Sequence, residues 1–329
     1  MDPAVPRLDP REEPIRIDSP VAGLSLFLRG LAPANPPAGP PRAVLYVHGA
    51  TFPSALSIAH RFDGRSWRDA LGEAGFHVWG LDFLGFGGSD RYPEMAGPAE
   101  AAASLGTTEQ TSRQLEAAVR FVCGRLGVPG LSLVAHSQGS VIAGHFAGRC
   151  PDLVDRLVLF GPIAQRHGPA DPTPIPAWTT VSLQQQWDRF TADTPDGEAP
   201  VLLQRHFRDW GERYLDSDAG SHERSPPAVR IPTGPRRDIA AAWSGRLPYD
   251  PALIRCPVAI IRGAWDSLCT DADAAWLFDA LAAAPLKRDI KLSRGGHLMH
   301  LEEGRAALHR EATCFLQGGD TVPESPVQS

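Results

Sequence analysis

Leu131-Ser132-Leu133-Val134-Ala135-His136-Ser137-Gln138-Gly139-Ser140 passes from an unbroken apolar stretch into a small-x-Ser-x-Gly turn, and a segment rich in small residues follows. The apolar part is short, as for a strand buried on both faces, and the part after Ser137 reads as a helix. A serine projecting from so sharp a strand-to-helix turn needs small neighbours two positions away on either side. Larger side chains there would strike the adjacent strand and helix. The same turn aims the unpaired N–H groups of the helix N-terminus at charge developing near Ser137. On these five residues alone, a serine in an ordinary βα loop is as good a reading as a nucleophile.

Outward from this stretch, apolar runs of the same kind recur at 43–47, 78–82, 157–160 and 258–262, bounded by Gly or Pro, with a further strand-like run at 289–292. Residues 24–28 alternate and read as an early antiparallel strand. Helical patterns fall at 66–73, 107–125, 139–149 and 271–281. In the second, Leu115, Val119, Val122 and Leu126 share a face and Gly127 supplies the stop. Strand alternating with helix predicts a doubly wound, mostly parallel α/β sheet. The alternation fails over 162–250, where prolines and Trp178, Trp187, Trp210 and Trp243 accompany helix-like stretches such as 201–214, and no strand is evident. The expected organisation is therefore a core of residues 15–161 and 251–317, a helical insertion at 162–250, and loose tails at 1–14 and 318–329.

The Ser137 turn resembles the nucleophile elbow of the α/β-hydrolase family, written G-x-S-x-G, with Ala135 in place of the first glycine. Tyr46-Val47-His48-Gly49-Ala50 resembles the family's His-Gly segment at an earlier strand end. That resemblance implies that the backbone N–H groups of Ala50 and Gln138 form an oxyanion hole, with Thr51 the substitute for Ala50 or a pocket residue. Read without it, His48-Gly49 is a tight turn and His48 a structural residue. The loop Asp82-Phe83-Leu84-Gly85-Phe86-Gly87-Gly88-Ser89-Asp90 is similar to the family's Asp-x-x-Gly-x-Gly-x-Ser loop, to which we assign a structural role.

A serine hydroxyl needs an adjacent base that is itself oriented by a third group. Of 11 histidines, His297 stands out. The paired glycines of Gly295-Gly296-His297 permit a loop over the sheet edge, and the segment to Glu302 nearly reproduces the family's Gly-His-x-x-x-x-Glu setting. His300, one helical turn on, is the rival, expected to pack or to face solvent. His136 flanks the serine and suggests pocket lining. For the acid, Asp266 follows the 258–262 strand and its Gly263 turn. Asp271 and Asp273 fit better as first-turn residues of the next helix, and Asp155 lies at the wrong end of its strand. The order Ser137, Asp266, His297 matches the family's chain order. Ser137 excludes the branches with an aspartate nucleophile.

Composition narrows the partners. The 329 residues carry 32 Lys+Arg against 38 Asp+Glu, a net charge of −6, which opposes nucleic-acid binding through bulk positive charge. The first 18 residues lack the apolar region of a secretory signal, and no stretch approaches the length of a membrane span, so a cytoplasmic location is expected. Cys123, Cys150, Cys256, Cys269 and Cys314 form no CxxC pair and read as small buried hydrophobes. No metal or cofactor motif is evident, and none is expected. Arg236-Arg237 reads as solvated charge. The resemblance implies a serine hydrolase acting on a small-molecule carboxylic ester, lactones included. Amide, thioester or carbon–carbon bond hydrolysis, acyl transfer on the same triad, and a non-catalytic binder of this fold remain open. The four tryptophans divide between packing of the insertion and an apolar substrate pocket.

Overall fold

Short apolar runs pair side by side where both faces of the resulting sheet can be covered. The computed structural model, which describes residues 7–170 and 173–318, contains β1 (Glu13–Asp18), β2 (Ser25–Leu31), β3 (Arg42–Val47), β4 (Phe76–Asp82), β5 (Leu131–His136), β6 (Val154–Phe160), β7 (Trp178–Ser182), β8 (Ala228–Pro232), β9 (Val258–Gly263) and β10 (Lys287–Leu292). Eight of these form one sheet in the order β1-β2-β4-β3-β5-β6-β9-β10. Only β2 runs antiparallel to its neighbours in this sheet; the pairs from β4 to β10 are parallel.

The helices are α1 (Trp67–Glu73), α2 (Thr108–Leu126), α3 (Gln138–Arg149), α4 (Leu183–Thr191), α5 (Gln204–Leu215), α6 (Gly234–Trp243), α7 (Asp271–Ala280) and α8 (Arg305–Gln317). At the starts of α1 and α7, Ser66 with Asp69 and Thr270 with Asp273 form reciprocal capping boxes. Successive strand side chains divide between two cores. Leu45, Val47, Leu133 and Ala135 pack under α2, α3 and α7, whereas Val44, Tyr46, Val134 and Val158 pack under α1 and α8. Helices on both faces make the sheet doubly wound, as the alternation predicts.

From β3 the chain moves outward to β4 and then returns to lay β5 on the other side of β3. This reversal opens a crevice beyond the carboxyl ends of β3 and β5, the place where open α/β sheets bind ligands. Residues 48–51 and Ser137 emerge there. Phe160, Gly263 and Leu292, which end β6, β9 and β10, lie along the same edge.

Three expectations need correction. The segment expected as a loose tail at 1–14 includes a buried part. Asp9 and Glu12 are buried, Glu12 pairs with the buried Arg29 and Arg68, and Glu13 opens β1. Residues 1–6 and 319–329 lie outside the described residues, and Gly318, in the left-handed region at φ 78°, caps α8. The second correction concerns 162–250, which is not all helical. β7 and β8 pair antiparallel there, flanking α4 and α5, with α6 following. Finally, Cys314 is exposed rather than buried.

Candidate active site

β5 is buried along its whole length, and the chain turns so abruptly after His136 that Ser137 sits at φ 54°, ψ −123°. A non-glycine residue in this region is strained, and it is held here by its surroundings. The Ser137 N–H donates to Phe160 O at 3.0 Å, and the Ser137 carbonyl accepts from Ser140 N–H at 2.9 Å and Ser140 Oγ at 2.5 Å. Gly139 admits no side chain, because a Cβ would stand 2.4 Å from Val47 O. The small residue after the serine thus lets α3 approach β3.

Two loops converge on Ser137. After β10 the chain reaches Gly295, which packs so closely on the end of β9 that a Cβ on Gly263 would lie 2.0 Å from Gly295 O. Trp265 N–H donates to the same Gly295 oxygen at 2.9 Å, tying the loop after β9 to the loop after β10. These loops carry Asp266 and His297. His297 Nδ1 lies 3.0 Å from both Asp266 carboxylate oxygens, and His297 Nε2 lies 2.8 Å from Ser137 Oγ. An ionised carboxylate only accepts, which assigns the imidazole hydrogen to Nδ1 and leaves Nε2 free to accept from the hydroxyl. All three side chains are buried.

Burial alone would raise the Asp266 pKa. The adjacent His297 and the N–H groups of Leu268 (2.9 Å) and Cys269 (3.0 Å) outweigh it and hold the carboxyl below its usual range. Asp271 and Asp273 do not reach His297. Asp271 pairs with Arg262 and Lys291, and Asp273 caps α7 and pairs with Arg166.

Neither the Ala50 nor the Gln138 N–H has a hydrogen-bond acceptor among the described residues. The two flank the crevice between β3 and β5. His48 is buried behind them: its Nε2 accepts from Phe83 N–H at 3.2 Å and its Nδ1 lies 2.7 Å from Gly49 O. In the glycine-rich loop, Asp82 accepts from Ser54 N–H, Ser54 Oγ and Gly88 N–H, while Ser89 Oγ bonds Asp82 O and accepts from Phe27 N–H. The loop is thereby tied to β2 and β4.

A cavity of about 580 Å³ reaches Ala50 and Thr51; Val181, Arg189, Ile231 and Trp243 contribute to its walls. Of the four tryptophans, only Trp243 lines it. Trp210 is buried, stacked on Tyr214 and Phe207, with its Nε1–H donating to Leu56 O at 2.9 Å. Trp187 packs edge-on to Phe207, and Trp178 donates to Gly97 O and lies under Arg230. Trp187 lines a separate cavity of about 510 Å³, not this one. His136 is likewise not a lining residue. It stacks on Phe160 and its Nε2 lies 2.9 Å from His297 O, while burial foremost, and the His297 charge, push its pKa down to about 3. His300 is buried against Phe52, Phe160 and His136. A larger cavity, about 800 Å³, holds none of the residues at Ser137.

Two contributors gave no signal in the sequence. Asp193, in the connection after α4, accepts from His297 N–H at 2.9 Å and from Ser267 N–H at 3.3 Å, and so links the loops bearing the imidazole and its carboxylate. Gly161, at φ 51°, leaves room for the pair: a Cβ there would stand 3.0 Å from Asp266 Oδ2 and 3.1 Å from His297 Nδ1. Glu302, noted in the sequence only as part of a motif, accepts from Gly296 N–H at 2.9 Å; burial raises its pKa to about 7. Among the described residues no group of three or more His, Cys, Asp and Glu side chains is placed to hold a metal ion, and no helix is long and apolar enough to cross a membrane.

Comparison with known proteins agrees with this architecture. The (lyso)-N-acylphosphatidylethanolamine lipase of Bos taurus is 28% identical over 131 residues, 40% of this chain and 34% of the lipase, so the chain spans about a third of the length of the curated relative it matches. The meta-cleavage product hydrolase of Pseudomonas fluorescens IP01 superposes with a TM-score of 0.61 at 18% identity, over 92% of this chain and 97% of that one. A thioesterase domain from the curacin biosynthetic pathway gives a TM-score of 0.60 at 18% identity, over 91% and 98%. At such identities the likeness speaks to the fold alone. The family model described as alpha/beta hydrolase fold matches residues 42–304. With that match spanning most of the chain and the sheet order above, the protein belongs to the α/β-hydrolase fold family.

Proposed function

We propose that the protein is a serine-dependent hydrolase of a small-molecule carboxylic ester, lactones included, with Ser137 as nucleophile, His297 as general base and acid, and Asp266 as the orienting carboxylate. The observation that carries this reading is the continuous relay from Asp266 through His297 to Ser137 Oγ, with contacts of 3.0 and 2.8 Å. As Ser137 Oγ attacks the ester carbonyl, its proton passes to His297 Nε2. The negative charge gathers on the former carbonyl oxygen, where the N–H groups of Ala50 and Gln138 donate to it. Collapse breaks the bond to the alcohol oxygen, which takes the proton from His297 and leaves an acyl group on Ser137. Water then gives a proton to His297 and attacks the acyl carbon; the acid departs as Ser137 recovers its proton. Asp266 holds the productive tautomer and offsets the transient imidazolium charge. In this reading residues 162–250 act as a cap over the crevice, a role supported by the cavity walls they provide and by the Asp193 link to His297.

The test is labelling by a fluorophosphonate probe together with ester turnover by Ser137→Ala. The wild type is expected to be labelled, and the variant to lose both labelling and about 10⁴–10⁶ in kcat. Turnover by a folded Ser137→Ala protein within tenfold of wild type refutes the assignment.

A further inference from the structure

Arginines in this protein commonly meet carboxylates. Arg16, Arg61, Arg68, Arg166, Arg224 and Arg262 each pair with an Asp or Glu. Arg189 and Arg236 differ: both line the cavity that reaches Ala50 and Thr51, and neither makes a hydrogen bond or ion pair with a described residue. Among the described residues no Asp or Glu lines that cavity; its other walls are apolar or neutral, with Thr51, Thr179, Thr180, Gln185 and Thr233 the uncharged polar members. Two positive charges without a carboxylate partner among the described residues thus share a concave site in a chain whose net charge is −6.

Arg189, like Arg236, is exposed on the cavity wall. Crowding around it lowers its pKa, although a guanidinium remains charged at neutral pH, and its charge is felt at His136, next to the serine. A guanidinium offers a fixed fork of donors suited to carboxylate or phosphate oxygens. The volume, about 580 Å³, suits a small molecule.

We propose that the substrate carries, away from its scissile ester, an anionic oxygen group that is held by Arg189 with the aid of Arg236. This proposal deepens the ester-hydrolase reading and rests on it for the identity of the reacting bond. The anion is a carboxylate or a phosphate, and the cavity's apolar wall takes the chain between that anion and the carbonyl at Ala50.

Two measurements test it. The first compares kcat/KM for mono-p-nitrophenyl adipate and p-nitrophenyl hexanoate, which differ chiefly in a terminal carboxylate. The wild type is expected to prefer the charged ester, and Arg189→Gln to lower the charged-to-neutral ratio by about ten- to hundredfold, the range for a hydrogen bond to a charged group. Arg189→Lys should restore part of the ratio. A wild-type preference for the neutral ester, or an Arg189→Gln variant that lowers both esters alike, overturns the proposal. The second uses ketones that cannot be hydrolysed: calorimetric titration with 6-oxoheptanoate, 5-oxohexyl phosphate and 2-heptanone. Binding of at least one anion by the wild type, lost in Arg189→Gln and absent for 2-heptanone, is expected; the tighter anion identifies the group. Absence of anion binding overturns the proposal. Anion binding by a protein that the fluorophosphonate probe does not label would refute the hydrolase reading and leave the anion site standing.

Discussion

Replacing Asp193 by alanine removes the acceptor that ties the His297 backbone to the connection after α4. Asp193 lies outside the triad, yet its carboxylate takes the His297 N–H at 2.9 Å and the Ser267 N–H at 3.3 Å. A hydrogen bond to a charged group has a net value of about 1.5–3 kcal/mol, and the second, longer bond adds less. Were that energy spent wholly on holding the imidazole against Ser137, its loss would lower kcat by about ten- to hundredfold. KM should change less, because Asp193 is not among the residues lining the cavity at Ala50. Asp193→Asn checks the role of the acceptor: an amide oxygen still accepts the N–H, so kcat should fall less than in Asp193→Ala. The assay is steady-state hydrolysis of a p-nitrophenyl ester from pH 5 to 9, with a thermal melt of each variant. Wild-type kcat in a folded Asp193→Ala protein would refute the positioning role.

Trp210→Ala should destabilise the protein by about 3–5 kcal/mol, as truncation of a large buried aromatic does, because Trp210 packs against Phe52, Phe207 and Tyr214. Trp243→Ala should instead change the ranking of kcat/KM among esters of graded size, since Trp243 lines the cavity; denaturant melts and an ester panel distinguish these outcomes, and identical rankings in Trp243→Ala would remove it from the pocket. Glu302 supplies a pH prediction. Its folded pKa, about 7 against an ordinary 4.5, means that the native chain retains a proton that the unfolded chain has released. The stability contribution therefore falls as pH rises from about 4.5 to about 7, by on the order of 3 kcal/mol. Relative to wild type, Glu302→Gln should gain stability between pH 5 and pH 8 in urea unfolding; a parallel pH dependence in the two proteins would refute the shift.

The sequence by itself carried the sheet, because its evidence is local. Continuous apolar runs and the helical spacing in α2 depend on near neighbours in the chain. The same holds for the candidate site. Ser137, Asp266 and His297 each follow a strand and stand beside small residues that permit a sharp turn, so they were legible one at a time, while their meeting at 2.8 and 3.0 Å is a property of the fold. Tertiary structure decided what local patterns could not. β1 contains Pro14 and alternating charges and is recognisable as a strand only through its pairing with β2. β7 and β8 lie far apart in sequence, with no tight turn between them to announce a hairpin. Asp193 and Gly161 act on a histidine more than a hundred residues away, and no spacing encodes such a contact. Arg189 resembled any other surface charge in the sequence; that no carboxylate among the described residues meets it is visible only when the walls of the cavity are assembled. Short-range geometry is written into neighbouring residues, whereas partners brought together by chain crossings exist only once the sheet has formed.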